Sequence, residues 1–577
     1  MPFTYNSKTG ITNLSSVILL LVVSLWMTGC TTLKHTAAPT GVVAFTDMVV
    51  SAYPDATKVG SDILAQGGNA IDAAVAVQFA LAVTYPQAGN IGGGGFAVVR
   101  LHDGESRTLD FREKASRNAH TEMYLDNDKN VIPGLSLRGH LASGVPGAVH
   151  GMYQLHEWKG QLPWKTLLQP SIDLAEQGFV LTEHQAGVLN RYSDDFMEVN
   201  GHEIPMIKEG GWKKGDIMKL PDLAETLKRI QKDGPAGFYS GKTARLITQE
   251  MESGHGVIDY EDLRRYQSKW RLPLKATYKN YDIITMPPPS SGGVAVVQML
   301  KGLEKINLQK YEHNSAPYTH YLVEVEKRAY ADRASFLGDP DYAPVPTERL
   351  ISDSYIRERM NNIDLATVTP SSSIKEGNVE IIESVQTTHF SIVDKDRNAV
   401  AITTTINSYF GSKVWIDGGG FFMNNEMDDF SSKPGVPNQF GLPGNEINSI
   451  KPEKRMLSSM TPTIVEQDDE LFMVLGSPGG STIITTVLQT ILNVVEFNMS
   501  MQEAVDARRF HHQWMPDRIQ HESGTFTPEI LEALTQRNYT FRDRGTIGMC
   551  DAIMVHDNGV LEGAPDATRG DNTALGH

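Results

Sequence analysis

The hydrophobic and polar positions along the chain change period repeatedly, which predicts a mixture of helices and strands. The stretch KVGSDILAQGGNAIDAAVAVQFALAVTYPQAGNIGGGGFAVV, from Lys58 to Val99, reads as a helix, a Gly-Gly break, a second helix, a loop and a strand. Asn69 is a suitable N-cap for the second helix, which we expect to end before Pro86. Further helices are predicted over 221–232, 241–252 and, with an amphipathic pattern, 318–336.

A β-hairpin is predicted in the last third of the chain. Residues 389–392 alternate between apolar and polar, DKDRN forms a turn, and 399–406 read as a second strand. With the turn centred on Asp396, Thr387 pairs with Thr405, and Asn407 points to the same face. Threonine pairs also stabilise ordinary sheets. The pattern alone therefore leaves two roles open for Thr387: an ordinary strand residue or a catalytic residue.

Two motifs rich in small residues resemble known functional motifs, a phosphate-binding loop and a serine-hydrolase nucleophile, but each lacks a required feature. GNIGGGG, at 89–95, is followed by no Lys-Ser/Thr pair and lacks the order strand, glycine loop, helix, so close backbone packing is favoured over phosphate binding. PPPSSGG, at 287–293, lacks the Gly-x-Ser-x-Gly elbow of a serine hydrolase.

Composition narrows the class of protein. The chain has 577 residues, of which 40% are hydrophobic and 21% charged, as in a soluble globular protein. Its net charge of 52 − 69 = −17 argues against nucleic-acid binding, which needs a basic face. Two cysteines, Cys30 and Cys550, exclude a disulfide-rich scaffold.

The N-terminus has the features of an export signal. Lys8 precedes the short apolar run from Val17 to Leu25, and Thr28-Gly29 leads into Cys30. This resembles a bacterial lipoprotein processing site. We expect residues 1–29 to be a signal peptide and 30–41 a lipidated cysteine with its tether, giving a periplasmic protein anchored to a membrane through Cys30. A plain signal peptide that is cut elsewhere is the alternative.

Candidate chemistry gathers in four motifs. DFREKA ends a strand with Arg112, which suits a carboxylate through two parallel hydrogen bonds. NNEMDDF supplies amides and carboxylates, and KRMLSSM supplies a serine pair. In GSPGGS, the amides of Gly479 and Gly480 lie near a helix that begins around Ser481, where backbone N–H groups suit a negative oxygen.

Eight motifs in order resemble the gamma-glutamyltransferase family of N-terminal-nucleophile hydrolases: GGNAIDAAVA, GGGGFAVV, DFREKA, QTTHFSIVDKD, NNEMDDF, KRMLSSMTPT, GSPGGS and RFHHQW. The resemblance extends from about Val42 to the C-terminus. It implies an α/β fold, a four-layer αββα sandwich, made as a precursor that cuts itself between Gln386 and Thr387. Residues 42–386 would be the large subunit and 387–577 the small, catalytic subunit.

The resemblance also implies the role of each site residue. Thr387 would attack the γ-amide of glutathione or another γ-glutamyl compound and pass the acyl group to water or to an amino acid or peptide acceptor. Thr405 would support it, and Gly479 and Gly480 would hold the oxyanion. The substrate α-carboxylate is assigned to Arg112, Ser458 and Ser459, and its α-amino group to Asn407, Glu426 and Asp429.

Three further expectations follow from the same resemblance. The segment 437–451 matches a lid loop, with Phe440 where relatives often have tyrosine. No cofactor and no metal are implied, and the pair His511-His512 lacks a ligand spacing, so we expect it to pack in the core. Two rival functions remain: a related acylase of the glutaryl-cephalosporin type, and a lipoprotein that binds γ-glutamyl compounds without activity.

Overall fold

A computed structural model describes residues 1–4, 35–374, 387–433 and 445–577. Cys30, Gln386 and Phe440 lie outside these ranges, so the predictions made for them stay predictions. The main body runs from Ala37 to His577. Within the described residues, no helix combines the length and the apolar content that a bilayer crossing requires.

Two antiparallel seven-stranded sheets form the centre of the body. The nucleophile sheet has the order β21-β2-β10-β11-β3-β4-β7, and the second sheet has the order β1-β20-β19-β15-β14-β9-β8. The strands are β1 Val42–Ala44, β2 Met48–Ser51, β3 Gly94–Arg100, β4 Ser106–Asp110, β5 Phe179–Val180, β6 Ile217–Met218, β7 Lys269–Arg271, β8 Leu274–Tyr278, β9 Tyr281–Thr285, β10 Thr388–Val393, β11 Ala399–Thr405, β12 Trp415–Ile416, β13 Phe421–Phe422, β14 Thr463–Gln467, β15 Glu470–Gly476, β16 Phe510–His511, β17 Ile519–His521, β18 Phe541–Asp543, β19 Asp551–Val555, β20 Leu561–Ala564 and β21 Thr573–Gly576.

Helices cover the outer faces of both sheets. They are α1 Pro54–Ala65, α2 Ala70–Thr84, α3 Ala148–Lys159, α4 Trp164–Gln177, α5 Glu183–Arg191, α6 Ser193–Asn200, α7 Pro221–Asp233, α8 Ala236–Tyr239, α9 Gly241–Ser253, α10 Tyr260–Arg265, α11 Gly292–Leu303, α12 Ala316–Phe336, α13 Thr347–Leu350, α14 Asp353–Met360, α15 Thr482–Phe497, α16 Met501–Asp506 and α17 Pro528–Thr535. The helices predicted at 221–232 and 241–252 are confirmed within one residue as α7 and α9.

The layers follow from the alternation of side chains along each strand. Phe390 and Ile392 of β10 belong to the core beneath α1 and α2, whereas Val393 belongs to a second core that also contains Ile464 and Val474 of the second sheet. Successive strand residues face opposite sides. With α11 and α15 packed on the far side of the second sheet, the predicted αββα sandwich is confirmed.

Local chemistry fixes the start of α2 and the course of β3. The Asn69 side chain accepts a hydrogen bond from Asp72 N, and the Asp72 carboxylate accepts one from Asn69 N, so a capping box closes the helix start as predicted. A Cβ added to Gly93 would lie 2.0 Å from Thr405 O, and one added to Gly95 would lie 2.4 Å from Thr403 O. The glycine run therefore allows close backbone packing, as expected.

The prediction that 318–336 is amphipathic is wrong. Helix α12 is buried around its whole circumference, including its charged residues. Arg328 donates to Glu324, and Lys327 donates to Thr369 O, so these two buried cations have partners inside the protein. The charged positions resembled a solvent-facing side, but other segments cover them.

Candidate active site

The hairpin of β10 and β11 sets the position of Thr387. Thr388 pairs with Thr404 and His389 with Thr403, which is the register predicted from a turn centred on Asp396. Continuing that register by one residue brings Thr387 opposite Thr405. Because Thr387 is two residues before His389, it is expected to face the second sheet, where His389 packs against Gly476 at the end of β15.

Three polar groups meet at the open end of this hairpin. Thr387 Oγ1 lies 3.4 Å from Thr405 Oγ1, and Asn407 N donates to the same Thr405 oxygen at 2.7 Å. The Asn407 side chain donates to Asn425 O at 3.0 Å, and its backbone has a φ of 70°. Thr387, Thr405 and Asn407 are each at least 95% buried. The hydroxyl predicted as nucleophile is therefore held among neutral partners.

The loop after β15 carries the two glycines predicted to hold the oxyanion, and Gly480 lines the same cavity as Thr387. Gly479 and Gly480 have φ values of 138° and 57° and lead directly into α15, which begins at Thr482. Tyr330 donates its hydroxyl proton to Ser481 O at 2.5 Å, and Ser481 Oγ donates to Gln513 at 2.7 Å. The motif RFHHQW thus braces the glycine turn. N–H groups at a helix N-terminus suit an oxyanion.

Arg112 is fully buried and surrounded by acceptors. It donates to Glu426, to Asp429 and, at 3.4 Å, to Glu113. Its remaining donors reach Met456 O at 3.4 Å and Leu457 O at 3.2 Å. A guanidinium has five N–H groups, so all five are used. The resemblance assigns Arg112 to one end of a substrate and Glu426 and Asp429 to the other; in the structure, Arg112 contacts both carboxylates.

The three carboxyl groups around Arg112 are buried and close together. Burial raises the pKa of Glu113 to about 7, against the opposing pull of Arg112. Burial, and then repulsion from Glu113, raises the pKa of Glu426, and burial raises that of Asp429. Glu113 Oε1 and Glu426 Oε2 have no hydrogen-bond partner in the described part of the protein. This site favours an incoming hydrogen-bond donor, such as an ammonium group.

The serine pair Ser458-Ser459 is supported from behind by the motif PPPSSGG. Ser291 donates to Ser458 O at 2.6 Å, and Ser290 donates to Met460 O at 2.6 Å. Both Ser290 and Ser291 are completely buried. Their role is to position the serine loop, which agrees with the expectation that they are not the nucleophile of a serine hydrolase.

Arg333 of α12 belongs to the same site, although no motif in the sequence predicted it. Its Nε donates to Ser291 Oγ at 2.8 Å and its Nη2 to Ser459 Oγ at 3.2 Å. A signal was present: Tyr330, which braces the glycine turn, lies three residues earlier on the same helix face. The amphipathic pattern predicted that the face of α12 with Tyr330 and Arg333 is either exposed to solvent or packed in the core without a functional role.

One cavity collects the predicted site residues. Of the predicted residues that the structure describes, only Gly479 is absent from its lining, and it directly precedes Gly480, which is present. The lining residues are Arg112, Arg333, Thr387, Thr405, Asn407, Glu426, Asp429, Ser458, Ser459, Met460, Gly480 and Ile483. A separate cavity, bordered by Lys301, Tyr321 and Met360, shares no lining residue with it.

The remaining candidates have structural partners. His511 contacts Thr485 and Gln513 at 2.8 and 2.9 Å, and His512 lies 3.2 Å from Asp517. Burial lowers the pKa of His511 to about 3. Within the described ranges, no group of three or more metal-binding side chains occurs. Cys550 is buried, and burial raises the pKa of its thiol to about 12.

The sandwich, with a threonine directly before the first strand of a central hairpin and Gly480 in the same cavity, is typical of the class of N-terminal-nucleophile hydrolases. Comparison with known proteins identifies the family within that class. The model of the gamma-glutamyltranspeptidase family matches residues 56–576. The chain therefore belongs to the gamma-glutamyltranspeptidase family, which confirms the resemblance read from the motifs.

Individual proteins with similar sequences support the same family assignment. The chain is 44% identical to a glutathione hydrolase proenzyme of Escherichia coli over 532 residues, with 92% of each chain covered. It is 43% identical to one of Pseudomonas sp. A14, covering 94% of this chain and 96% of the relative. An acylase proenzyme, ACY 1 of Pseudomonas sp. SE83, is 35% identical, covering 90% of this chain and 91% of the relative.

Two solved structures resemble the fold. Gamma-glutamyltranspeptidase of Helicobacter pylori is 42% identical with a TM-score of 0.56, covering 59% of this chain and 97% of the other. A cephalosporin acylase of Bacillus halodurans is 26% identical with a TM-score of 0.82, covering 96% of this chain and 99% of the other.

Proposed function

We propose that the protein is a gamma-glutamyltransferase and glutathione hydrolase that makes its own nucleophile by self-cleavage. The observation that carries this proposal is that Thr387, directly before β10, lines the same cavity as Arg112, Glu426 and Asp429. A hydroxyl nucleophile thus lies beside charges of both signs. A γ-glutamyl group, which bears an α-carboxylate and an α-ammonium, matches that combination.

Self-cleavage at Gln386–Thr387 supplies the base that the hydroxyl lacks. The Thr387 oxygen attacks the Gln386 carbonyl carbon, the peptide C–N bond breaks as its nitrogen takes a proton, and water hydrolyses the resulting ester. Thr387 then carries a free α-amine, whose ordinary pKa of about 7.7–8.0 lets it accept the hydroxyl proton near neutral pH. The amide nitrogen of an uncut chain cannot do this.

In the cleaved enzyme, Thr387 attacks the γ-carbonyl carbon of glutathione. The oxyanion is held by the amides of Gly479 and Gly480, and Thr405 orients the attacking hydroxyl. Cysteinylglycine leaves as an amine after taking a proton, and a γ-glutamyl ester remains on Thr387. Water gives hydrolysis, and an amino acid or peptide amine gives transfer.

Substrate binding exchanges internal ion pairs for external ones. The α-carboxylate approaches Arg112, Ser458 and Ser459, while the α-ammonium approaches Asn407, Glu426 and Asp429. Since Arg112 already contacts Glu426 and Asp429, each substrate charge takes the place of a protein group of the same sign, and no buried charge loses its compensation. Phe440, in the lid segment 437–451, would cover the bound substrate.

The chain would be processed twice. Residues 1–29 would be removed during export, leaving Cys30 lipidated and the tether 30–41 holding the protein to a bacterial membrane on its periplasmic side. Cleavage before Thr387 would then divide the body into subunits 42–386 and 387–577.

Two rivals make different predictions. A glutaryl acylase would hydrolyse glutaryl-p-nitroanilide at least as well as the γ-glutamyl compound, because it needs no α-amino group. The relatives named acylase are the observation that keeps this rival in view. An inactive binding lipoprotein would stay uncut and still bind glutamate or glutathione.

The test is the intact mass and N-terminal sequence of the purified protein. We expect two fragments, the smaller beginning TTHFSIV. Thr387→Ala should remain one chain with no detectable γ-glutamyl-p-nitroanilide hydrolysis, whereas the neighbouring Thr388→Ala should still be cut. A single chain in all three samples would reject the mechanism and favour the binding lipoprotein.

A further inference from the structure

Arg333 is a buried cation whose hydrogen-bonding capacity is only partly used. Its exposed fraction is 5%, and it donates to two hydroxyls, those of Ser291 and Ser459. Within the described ranges, no carboxylate forms an ion pair with it within 4.0 Å. Arg112, at the same cavity, uses all five N–H groups and contacts three carboxylates.

A buried guanidinium without an anion is costly. Arginine is rarely buried unless paired, because removal from water costs several kcal/mol that only an opposite charge offsets well. Burial lowers the pKa of Arg333 to about 10, which reflects this cost. Since Arg333 lines the cavity that contains Thr387, an anion from outside the protein can reach it.

We propose that Arg333 is a specificity-determining residue that binds the α-carboxylate of the γ-glutamyl group, together with Ser458 and Ser459. This inference rests on the proposed function. It adds a second guanidinium to the carboxylate site, one that gains its anion only when substrate binds, whereas Arg112 must exchange an existing partner.

The neighbourhood of Asp429 supports this assignment. Asp429 and Arg333 line the same cavity, Arg112 donates to Asp429, and the charge of Asp429 works against the lowering of the Arg333 pKa by burial. The α-carboxylate and α-ammonium of a glutamyl group are attached to the same carbon. A cation and an anion that lie close together without direct contact match such a zwitterion, with the carboxylate on Arg333 and the ammonium on Asp429.

The test compares three p-nitroanilide substrates on wild type and Arg333→Met. The γ-glutamyl compound has both charges, the 4-aminobutyryl compound lacks the α-carboxylate, and the glutaryl compound lacks the α-amino group. In wild type, loss of the α-carboxylate should lower kcat/KM strongly. In Arg333→Met this loss should shrink about tenfold to a hundredfold, the range of one charge-assisted hydrogen bond. The γ-glutamyl to glutaryl ratio should stay unchanged.

A merely structural role predicts something else. Arg333→Met would then lower kcat/KM for all three substrates by one common factor, leaving both ratios as in wild type, and that result overturns the proposal. Arg359→Met is the matched control: Arg359 contacts Asp332, the residue before Arg333, without lining the cavity. Its substrate ratios should equal those of wild type.

Two measures keep the result interpretable. Each variant is first checked for cleavage before Thr387, and if Arg333→Met fails to fold, Arg333→Lys replaces it, with a smaller loss of carboxylate preference because the charge remains. An inactive wild type would contradict the proposed function itself. Calorimetric titration of L-glutamate and of 4-aminobutyrate into wild type and variant would then decide on Arg333: the ratio of their affinities must fall in the variant.

Discussion

Two groups of residues meet at the cavity, and they differ in charge: one is neutral and the other is made of charged side chains. The nucleophile group, Thr387, Thr405 and Gly480, consists of hydroxyls and a backbone amide. The charged group consists of Arg112, Glu426 and Asp429, which line the cavity, and Glu113, which contacts Arg112 without lining it. It holds one guanidinium and three carboxyls within hydrogen-bonding contact. Apart from Asp429, whose side chain is 11% exposed, both groups are almost completely buried.

This difference in charge means that substrate binding and reactivity depend on different residues: the charged group binds the substrate, and the nucleophile group reacts with it. The charged group is in place before any substrate arrives, since its members already pair with one another. The nucleophile group contains no charged residue, and Thr387 gains a base only through the proposed cut. A precursor built this way has a formed binding site and no means of general hydrolysis. Three experiments can break or sharpen this comparison.

The largest effect should come from removing the one cation of the charged group. Arg112→Met leaves Glu113, Glu426 and Asp429 buried together, and breaking a buried ion pair costs roughly 3–5 kcal/mol. The measurement is urea unfolding in a Thr387→Ala background, so that a single chain is compared throughout. Arg138→Met removes exposed pairs with Asp195 and Glu198 and should cost under about 1 kcal/mol. Equal losses in the two variants would contradict the comparison.

The next effect tests the geometry of the glycine turn. Gly479→Ala must adopt a φ of 138°, and its Cβ would lie 2.5 Å from Thr482 Oγ1, so the amides beside Thr387 should shift. We expect kcat/KM for γ-glutamyl-p-nitroanilide to fall about tenfold to a hundredfold in the protein that is cut, somewhat less than for complete removal of an oxyanion donor.

Gly545→Ala is its control, because Gly545 also has a positive φ, 83°, but has open space around it. This variant should keep wild-type kcat/KM. A similar loss of activity in both variants would mean that backbone strain, rather than the position of the amides, causes the effect.

The smallest effect is a dependence of stability on pH. Burial raises the pKa of Glu113 to about 7 in the folded protein from an ordinary value of about 4.5. The folded state therefore binds more protons between these values, so the contribution of Glu113 to stability falls as pH rises from about 4.5 to above 7. The loss is at most a few kcal/mol, since a tenfold change in proton affinity corresponds to about 1.4 kcal/mol.

Urea unfolding at pH 5 and pH 8 in the Thr387→Ala background measures this contribution. Glu113→Gln, which cannot ionise, should lose less stability between the two pH values than the parent. Glu122→Gln, at an exposed pair with Lys129, should behave as the parent does. A Glu113→Gln protein with the parent's pH dependence would show that Glu113 does not hold the proton.

Local sequence chemistry predicted much of this architecture. The turn at Asp396 fixed the pairing of Thr388 with Thr404, and Asn69 with Asp72 marked the start of α2. Both depend on residues close in sequence, whose geometry is known in advance. The resemblance supplied the layers and the list of site residues, nearly all of which line one cavity.

Contacts between distant segments were harder to predict. Arg333 reaches Ser291 and Ser459 only because α12 is packed between other segments, and the sequence of one helix does not contain that information. Similarly, Arg112 and Asp429 are 317 positions apart, and their contact depends on how the whole sandwich closes. The sequence indicates what each side chain can bind, but it does not indicate which distant residue becomes its partner.

The sheets interleave strands from both sides of the proposed cut. In the nucleophile sheet, β21, β10 and β11 come after it, and β2, β3, β4 and β7 come before it, with β2 lying between β21 and β10. Neither fragment can leave without unzipping main-chain hydrogen bonds of both sheets, so cutting releases nothing. A single uncut chain lowers the entropic cost of this assembly, because the loop closures are then intramolecular. If the chain is cut as proposed, denaturation would separate two chains that must then find each other in solution, so the lifetime of the cleaved enzyme would depend on slow unfolding.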